Sequence, residues 1–177
     1  MTKRMFMLTL TLAVVALAAI AAPVSATTPT EVSGTYALAP SPPSYMQWQP
    51  AGKNCKLTIG LTYDFAGDLA GKADFDYSIM VHGPCTVDMP PGQGVYVSNL
   101  KARGTFTGEV LGTYGTFDFT YEGMEWPFEV PGDLGVAARI VILSGTDGLA
   151  NLHGVLDVTY LVGDPYDVYS GHIHFDP

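Results

Sequence analysis

The sequence predicts an all-β protein that folds as a single antiparallel barrel of about eight strands. Apolar and polar residues alternate with period two in several segments, and no amphipathic helical pattern occurs after residue 26. Turn-forming residues recur at short intervals, with 20 glycines and 13 prolines in the chain. Strands of this kind can close on themselves with their apolar faces inward, which removes edge strands. A β-sandwich fits the same pattern and is the alternative fold.

The first 26 residues are predicted to be a secretory signal peptide. Lys3 and Arg4 form a positive start, residues 5–22 are apolar, and residues 24–26 (VSA) have small side chains at the cleavage positions. An uncleaved anchor is the alternative, because the apolar run is also about long enough to span a bilayer. Cleavage after Ala26 leaves residues 27–177 as one domain, secreted or held in the cell envelope.

The charge of the chain excludes two classes of partner. The formal net charge is −9, and removal of the signal peptide leaves six basic residues against 17 acidic ones, a charge of −11. A domain this acidic is not expected to bind nucleic acid or an anionic membrane by bulk charge. The acidic residues are scattered along the chain, which is typical of a soluble extracellular surface.

The first half of the exported chain is predicted to contain one strand, an irregular segment and a hairpin. Residues 33–39 form the first strand. Residues 40–52 contain four prolines and are predicted to be irregular, because proline removes hydrogen-bond donors from a sheet. Residues 55–65 and 72–81 alternate cleanly and are predicted to pair across a loop at residues 66–71.

The two cysteines are predicted to form a disulfide. The hairpin places Cys55 near the end of the returning strand, and Cys85 lies in the turn just beyond it. An exported protein meets an oxidising compartment, so the Cys55–Cys85 bond is the default and two free thiols are the alternative. In the chain-entropy model a loop of this length contributes roughly 3 to 4 kcal/mol.

The second half is predicted to supply the remaining strands. Residues 94–110 offer strand material, residues 112–122 form a strand with its aromatic residues on one face, and residues 122–133 form an acidic, aromatic loop with a short strand inside it. After the two strands described next, residues 166–175 form the last strand.

Residues 138–162 are predicted to form two strands with a tucked connection between them. The strands are residues 138–143 and 155–162, both apolar and rich in β-branched residues. The connection contains Gly145 and Gly148, which are predicted to supply positive φ angles, and residues 149–152 are predicted to form a single turn.

This connection also carries a resemblance to a known superfamily. The run SGTDGLANLHGVLDV at residues 144–158 resembles the glycine signature of the allene oxide cyclase and dirigent barrels. The final strand, YSGHIHF at residues 169–175, resembles that of small secreted bacterial and archaeal domains of unknown function in the same superfamily. The match covers residues 101–177 and departs at Asp147, where the signature has glycine. The resemblance implies an eight-stranded barrel, but it carries over no ligand-contacting residue and no cyclase activity.

A barrel of this size is either filled by its own side chains or holds one small ligand. The bulky inward residues Phe117, Tyr121 and Tyr160 are candidates for a ligand-binding wall. Arg139 is a further candidate, because a basic residue inside an apolar strand could face inward and bind an anionic group. The alternative is an outward Arg139 that pairs with a carboxylate on a neighbouring strand.

Two further groups of residues could carry chemistry. His172 and His174 share one face of a strand and could chelate a metal with His153, His82 or a carboxylate, but alternation places them on the outer face, so no metal is predicted. Glu122, Glu125 and Glu129 could supply a glycosidase pair if one carboxyl were held in an apolar pocket. A solvated acidic loop is the alternative.

The predicted function is a secreted, non-catalytic barrel that binds a small apolar ligand and needs no cofactor. One alternative is an isomerase or cyclase that acts on a lipid-like substrate in an apolar pocket. Another is an extracellular interaction module that forms homo-oligomers through exposed strands. No nucleophile elbow, phosphate-binding loop or dinucleotide fingerprint is present in the sequence.

Overall fold

Nine antiparallel β-strands make up the part of the chain that the computed structural model describes, residues 28–85 and 95–176. The predicted signal peptide lies outside these residues. Within the same ranges no helix is long and apolar enough to cross a membrane. The strands are β1 (Thr30–Leu38), β2 (Tyr45–Ala51), β3 (Asn54–Gly67), β4 (Leu69–Val81), β5 (Ser98–Val110), β6 (Thr113–Glu125), β7 (Leu134–Asp147), β8 (Leu152–Leu161) and β9 (Asp167–Phe175).

The first strand closes the sheet into a barrel. Strands β3 to β9 are neighbours in sequence order, each hydrogen-bonded to the next. β1 pairs with β9 on one side, where Thr30 opposes Ile173, and with β3 on the other, where Leu38 opposes Tyr63. In the described part of the chain, eight strands therefore form a closed ring, and β2 adds to one edge of β3. The predicted antiparallel barrel of about eight strands is confirmed.

The prediction that residues 40–52 are irregular is wrong for most of the segment, because residues 45–51 form the extra strand β2. β2 runs in the same direction as β1 and pairs with the N-terminal half of β3, whereas β1 pairs with its C-terminal half. Residues 40–44, which contain three of the four prolines, are irregular, and Gly52 lies in the turn between β2 and β3. Pro50 is tolerated inside β2 because this strand pairs with β3 alone among the described strands, and sheets accept proline at an edge.

The predicted disulfide is confirmed. The Cα atoms of Cys55 and Cys85 are 5.0 Å apart, and Cys55 opposes Val81, the last residue of β4. The bond therefore ties the base of the β3–β4 hairpin, as the register of the two strands predicted. A disulfide indicates a non-reducing compartment.

The tip of this hairpin is tighter than the predicted loop at residues 66–71. β3 continues to Gly67, whose φ of 105° is the left-handed conformation that favours glycine, and β4 begins at Leu69. Asp68 fixes the turn to β1, because its carboxylate accepts a hydrogen bond from the Ser33 N–H at 2.8 Å and its own N–H donates to the Ser33 carbonyl at 3.0 Å.

The connection between β7 and β8 folds inward, as predicted, but not for the predicted reason. The positive φ angles belong to Asp147 (54°) and Asn151 (63°), and not to the two glycines. Gly145 and Gly148 are needed for space. A Cβ atom at position 145 would overlap the Leu149 carbonyl group, and one at position 148 would lie 2.6 Å from the Tyr114 carbonyl oxygen. The close approach lets Leu149 enter the core, where it is fully buried.

One end of the barrel is filled by large apolar side chains. Phe106 and Phe117 stack with their ring centroids 4.7 Å apart, and Leu149 and Leu152 have no exposed surface. Tyr169 from β9 completes this filled end. Its hydroxyl group accepts a hydrogen bond from the Leu69 N–H at 2.8 Å and donates to the Ala66 carbonyl at 3.2 Å. The last strand is thereby bonded to the tip of the β3–β4 hairpin.

We expect the substitution Tyr169→Phe to lower the free energy of unfolding by about 1–3 kcal/mol, because it leaves the buried Leu69 N–H without a partner. The measurement is a urea titration followed by circular dichroism. Tyr114→Phe is the matched control, since Tyr114 is 62% exposed and its loss should change stability by less than about 0.5 kcal/mol. Equal stability of the two variants would contradict this role of the hydroxyl group.

Candidate ligand-binding cavity

The other end of the barrel is hollow. A cavity of about 310 Å³ lies between the C-terminal ends of β1, β4, β6 and β8 and opens to solvent. It is the end opposite the one that Tyr169 fills, because the β3–β4 and β7–β8 connections lie at the filled end. Its wall is formed by Tyr36, Ala37, Leu38, Leu61, Tyr63, Tyr77, Ile79, Leu100, Tyr121, Glu125, Phe128, Val136, Tyr160, Asp164, Pro165, Tyr166 and Asp167.

Four tyrosines from four different strands form the inner wall. The rings of Tyr36 and Tyr63 meet edge to face at 5.3 Å and those of Tyr77 and Tyr121 at 5.6 Å. The hydroxyl group of Tyr36 interacts with that of Tyr121, and the hydroxyl group of Tyr63 interacts with that of Tyr77. Burial raises the pKa of all four groups above the ordinary value, so they stay protonated at neutral pH.

Two carboxyl groups lie against this wall. Glu125, at the end of β6, is 8% exposed, and burial raises its pKa to about 7 although a hydrogen bond with Ser98 favours the charged form. Burial also raises the pKa of Asp167, at the start of β9, to about 7. Both carboxyl groups raise the pKa of Tyr63 and Tyr121 through their charge, so both act on the same part of the cavity.

The rim of the cavity is built from the loops that follow β6 and β8. Phe128 and Tyr160 contact each other with centroids 5.3 Å apart. Gly135 makes this contact possible, because a Cβ atom there would lie 2.8 Å from both rings. The Tyr160 hydroxyl oxygen accepts a hydrogen bond from the Gly163 N–H at 3.4 Å, and residues 164–167, which follow directly, line the cavity.

The structure brings together only some of the predicted ligand-binding residues. Tyr121 and Tyr160 line the cavity, whereas Phe117 is buried in the filled end of the barrel. The prediction that Arg139 could face inward is wrong. Its guanidinium group lies on the outer face of β7, 2.9 Å from the carboxylate of Asp157 on β8, and its side chain is 62% exposed. The outward alternative is the one observed.

Two of the histidines considered as metal ligands, His153 and His174, lie side by side on neighbouring strands. His174 stacks with His153 on β8, with ring centroids 5.7 Å apart, and Asp176 lies 3.3 Å and 3.4 Å from the Nε2 atoms of the two rings. His172 opposes Val155 and is exposed. In residues 28–85 and 95–176, no group of three His, Cys, Asp or Glu side chains is arranged to hold a metal ion.

Of the three glutamates considered as a glycosidase pair, only Glu125 enters the cavity. β6 continues to this residue, so the short strand expected inside residues 122–133 is the end of β6. Glu122 and Glu129 are exposed. Another carboxyl group of the cavity is that of Asp167, which the sequence analysis did not select as a ligand-binding residue. The alternation of β9 could have indicated that Asp167 faces the interior, because this residue shares a face with the buried residues Tyr169 and Ile173.

Comparison with known proteins identifies a solved structure with a similar fold. No family model matches the chain, and no curated protein matches it. A solved structure of a protein of unknown function from the DUF3224 family of Shewanella oneidensis is similar, with a TM-score of 0.58 and 16% identity. The alignment covers 85% of this chain and 100% of that one. At this identity the likeness shows the barrel fold alone. It does not show the resemblance to allene oxide cyclases and dirigent proteins.

We expect stability to fall as the pH rises from about 5 to 8. The folded state holds protons on Glu125 and Asp167 up to a pH of about 7, whereas the unfolded chain releases them near the ordinary values of 4.5 and 3.8, so the folded state binds more protons between these limits. Glu125→Gln should remove part of this loss and stabilise the protein at pH 8 by about 1–3 kcal/mol.

Urea unfolding at pH 5 and pH 8 measures this effect. Glu122→Gln is the control, because Glu122 lies three residues away on the same strand and its side chain is 68% exposed in an ion pair with Lys101. Exposed pairs contribute little, so the control should keep the pH dependence of the unmodified protein. A Glu125→Gln variant with that same pH dependence would show that the Glu125 carboxyl is not protonated in the fold.

Proposed function

We propose that this protein binds one small organic molecule in the open end of its barrel. The observation that carries the proposal is a cavity of about 310 Å³ in a barrel whose other end is filled. Eight-stranded barrels have an interior wide enough for either side chains or one small ligand. In this barrel side chains fill one end and leave space for a ligand at the other. Binding sites typically combine apolar walls with a few converging polar groups.

The size and lining of the cavity limit the ligand. Ligand pockets range from about 300 to 1,000 Å³, so this one suits a molecule at the small end of that range. A purely apolar ligand would displace water from Glu125 and from the tyrosine hydroxyl groups without replacing its hydrogen bonds. We therefore refine the predicted apolar ligand to a molecule with an apolar body and at least one polar group.

We also propose that the protein acts outside the cytoplasm after removal of residues 1–26. The Cys55–Cys85 disulfide supports this location, because such bonds persist in oxidising compartments. The positive start, the apolar run and the small residues before Thr27 support cleavage at that point. The intact mass of the protein from its own host should correspond to a chain that begins at Thr27.

A second candidate function is acid–base catalysis on the bound molecule, as in the isomerase alternative. It is favoured by one observation, the Glu125 carboxyl with a pKa of about 7 in an aromatic cavity, since a catalytic acid or base works best near the ambient pH. Deuterium from D₂O should then enter the ligand with the unmodified protein and not with Glu125→Gln. Absence of exchange with both proteins would contradict catalysis and favour a function in binding without catalysis.

The binding proposal predicts saturable uptake of the neutral fluorescent probe N-phenyl-1-naphthylamine, one molecule per chain. Val136→Trp should weaken this binding at least about tenfold, because Val136 is a nearly buried residue of the cavity wall and a larger side chain would enter the empty space. The measurement is a fluorescence titration, with circular dichroism as the check on folding.

Val155→Trp is the matched control, because Val155 lies on the outer face of β8 and is 42% exposed. It should bind the probe as the unmodified protein does. Native mass spectrometry of the protein from its host should also show an added mass that leaves on unfolding. A bare chain mass together with no saturable probe binding would overturn the proposal and favour the interaction-module alternative.

A further inference from the structure

We infer that the ligand of this cavity is an organic cation, a quaternary or protonated amine whose positive group lies among the tyrosine rings and faces Glu125 and Asp167. The inference rests on the proposed function, because it names the class of molecule that the same cavity binds. Two independent features of the cavity carry it, the aromatic lining and the distribution of charge.

The aromatic lining fits a cation. Among the described residues, six tyrosines and one phenylalanine contribute to the wall and rim: Tyr36, Tyr63, Tyr77, Tyr121, Tyr160, Tyr166 and Phe128. Neighbouring rings of the inner wall meet nearly at right angles, 77° for Tyr36 with Tyr63 and 80° for Tyr77 with Tyr121. The faces of aromatic rings carry partial negative charge, and cages of such rings are a common way to hold quaternary ammonium groups.

The charges of the lining have one sign. Three carboxyl groups, those of Glu125, Asp164 and Asp167, line the cavity, and no Lys, Arg or His of residues 28–85 and 95–176 is part of its wall. Basic side chains on the neighbouring strands point elsewhere. Arg139 pairs with Asp157 and Lys101 pairs with Glu122, all on the outer surface. A buried carboxylate needs a positive partner, and the fold provides none within the cavity.

The same arrangement disfavours the other ligand classes. An anion, such as the carboxylate of a fatty acid, would enter a cavity that already holds three acidic groups on a protein of net charge −9. A neutral molecule could bind when the carboxyl groups are protonated, but it has no charge to offset that of their ionised form. A cation gains both the Coulomb attraction of the carboxylates and the attraction of the rings.

Proton release should accompany cation binding. The pKa values of Glu125 and Asp167 are raised to about 7, so a cation that prefers the ionised form must displace protons below that pH. The other titratable groups that face the cavity are Tyr36 on β1, Tyr63 on β3, Tyr77 on β4, Tyr121 on β6, Tyr160 on β8, and Asp164 and Tyr166 in the loop before β9. The four inner tyrosines remain neutral, since burial raises their pKa values.

The test compares choline with 3,3-dimethylbutan-1-ol, its neutral carbon isostere, by isothermal titration calorimetry. The two molecules have the same shape, so a difference in affinity reports the charge alone. At pH 8 we expect choline to bind at least about tenfold more tightly than the isostere. From pH 8 to pH 6 the affinity for choline should fall about tenfold if one carboxylate must ionise, and about 100-fold if both must.

Variants assign the effect to the cavity. Glu125→Gln and Asp167→Asn should each weaken choline binding at pH 8 about tenfold and thereby reduce the difference in affinity between choline and its isostere. Glu122→Gln should change neither affinity, because its side chain is exposed on the outer surface.

The outcomes separate the two proposals. Equal affinity for choline and the isostere, or binding of the naphthylamine probe without binding of choline, would overturn the cation assignment while the binding function stands. Binding of none of the three molecules would overturn both.

Discussion

The fixed width of an eight-stranded ring is the constraint on which the rest of this structure depends. Once β1 is hydrogen-bonded to both β3 and β9, the interior has a set diameter, and only the inward side chains decide whether it is filled. At one end phenylalanine, leucine and Tyr169 use all the space. At the other end the inward positions hold tyrosines and two acids, and a cavity remains. The candidate site is thus a consequence of which residues face inward at each end of the barrel.

The two ends also differ in how their polar groups are satisfied. In the filled end the single hydroxyl group of Tyr169 is bonded to backbone groups of the β3–β4 hairpin, which a rigid, dry interior requires. In the open end hydroxyl groups interact with one another, and the carboxyl group of Glu125 forms a hydrogen bond with Ser98. In the proposed function, stability and recognition therefore belong to opposite halves of one barrel.

The sequence was sufficient to predict the strands of the ring, because period-two alternation depends on local residues alone. It was also sufficient to predict the disulfide, because this bond follows from the register of one hairpin. The sequence was insufficient where a neighbouring strand or side chain decides the structure of a segment. β2 was missed because proline density signals irregularity, whereas an edge strand tolerates proline. Glu125 continues the inward parity of Tyr121, but Gly123 between them suggested a loop. The face of Arg139 was ambiguous because the strand is apolar on both sides. The cavity itself depends on the summed volumes of side chains from all eight strands of the ring, which no single segment reveals.

The pairing of the first strand with the last has a consequence for the order of folding. Thr30 meets Ile173 only after nearly the whole chain is available, and until then one side of β1 and one side of β9 have no partner in the ring. Contacts so distant in sequence form slowly, and the open meander exposes its aromatic faces in the meantime. The ring can therefore close only in a late step, once the last strand is available to pair with the first.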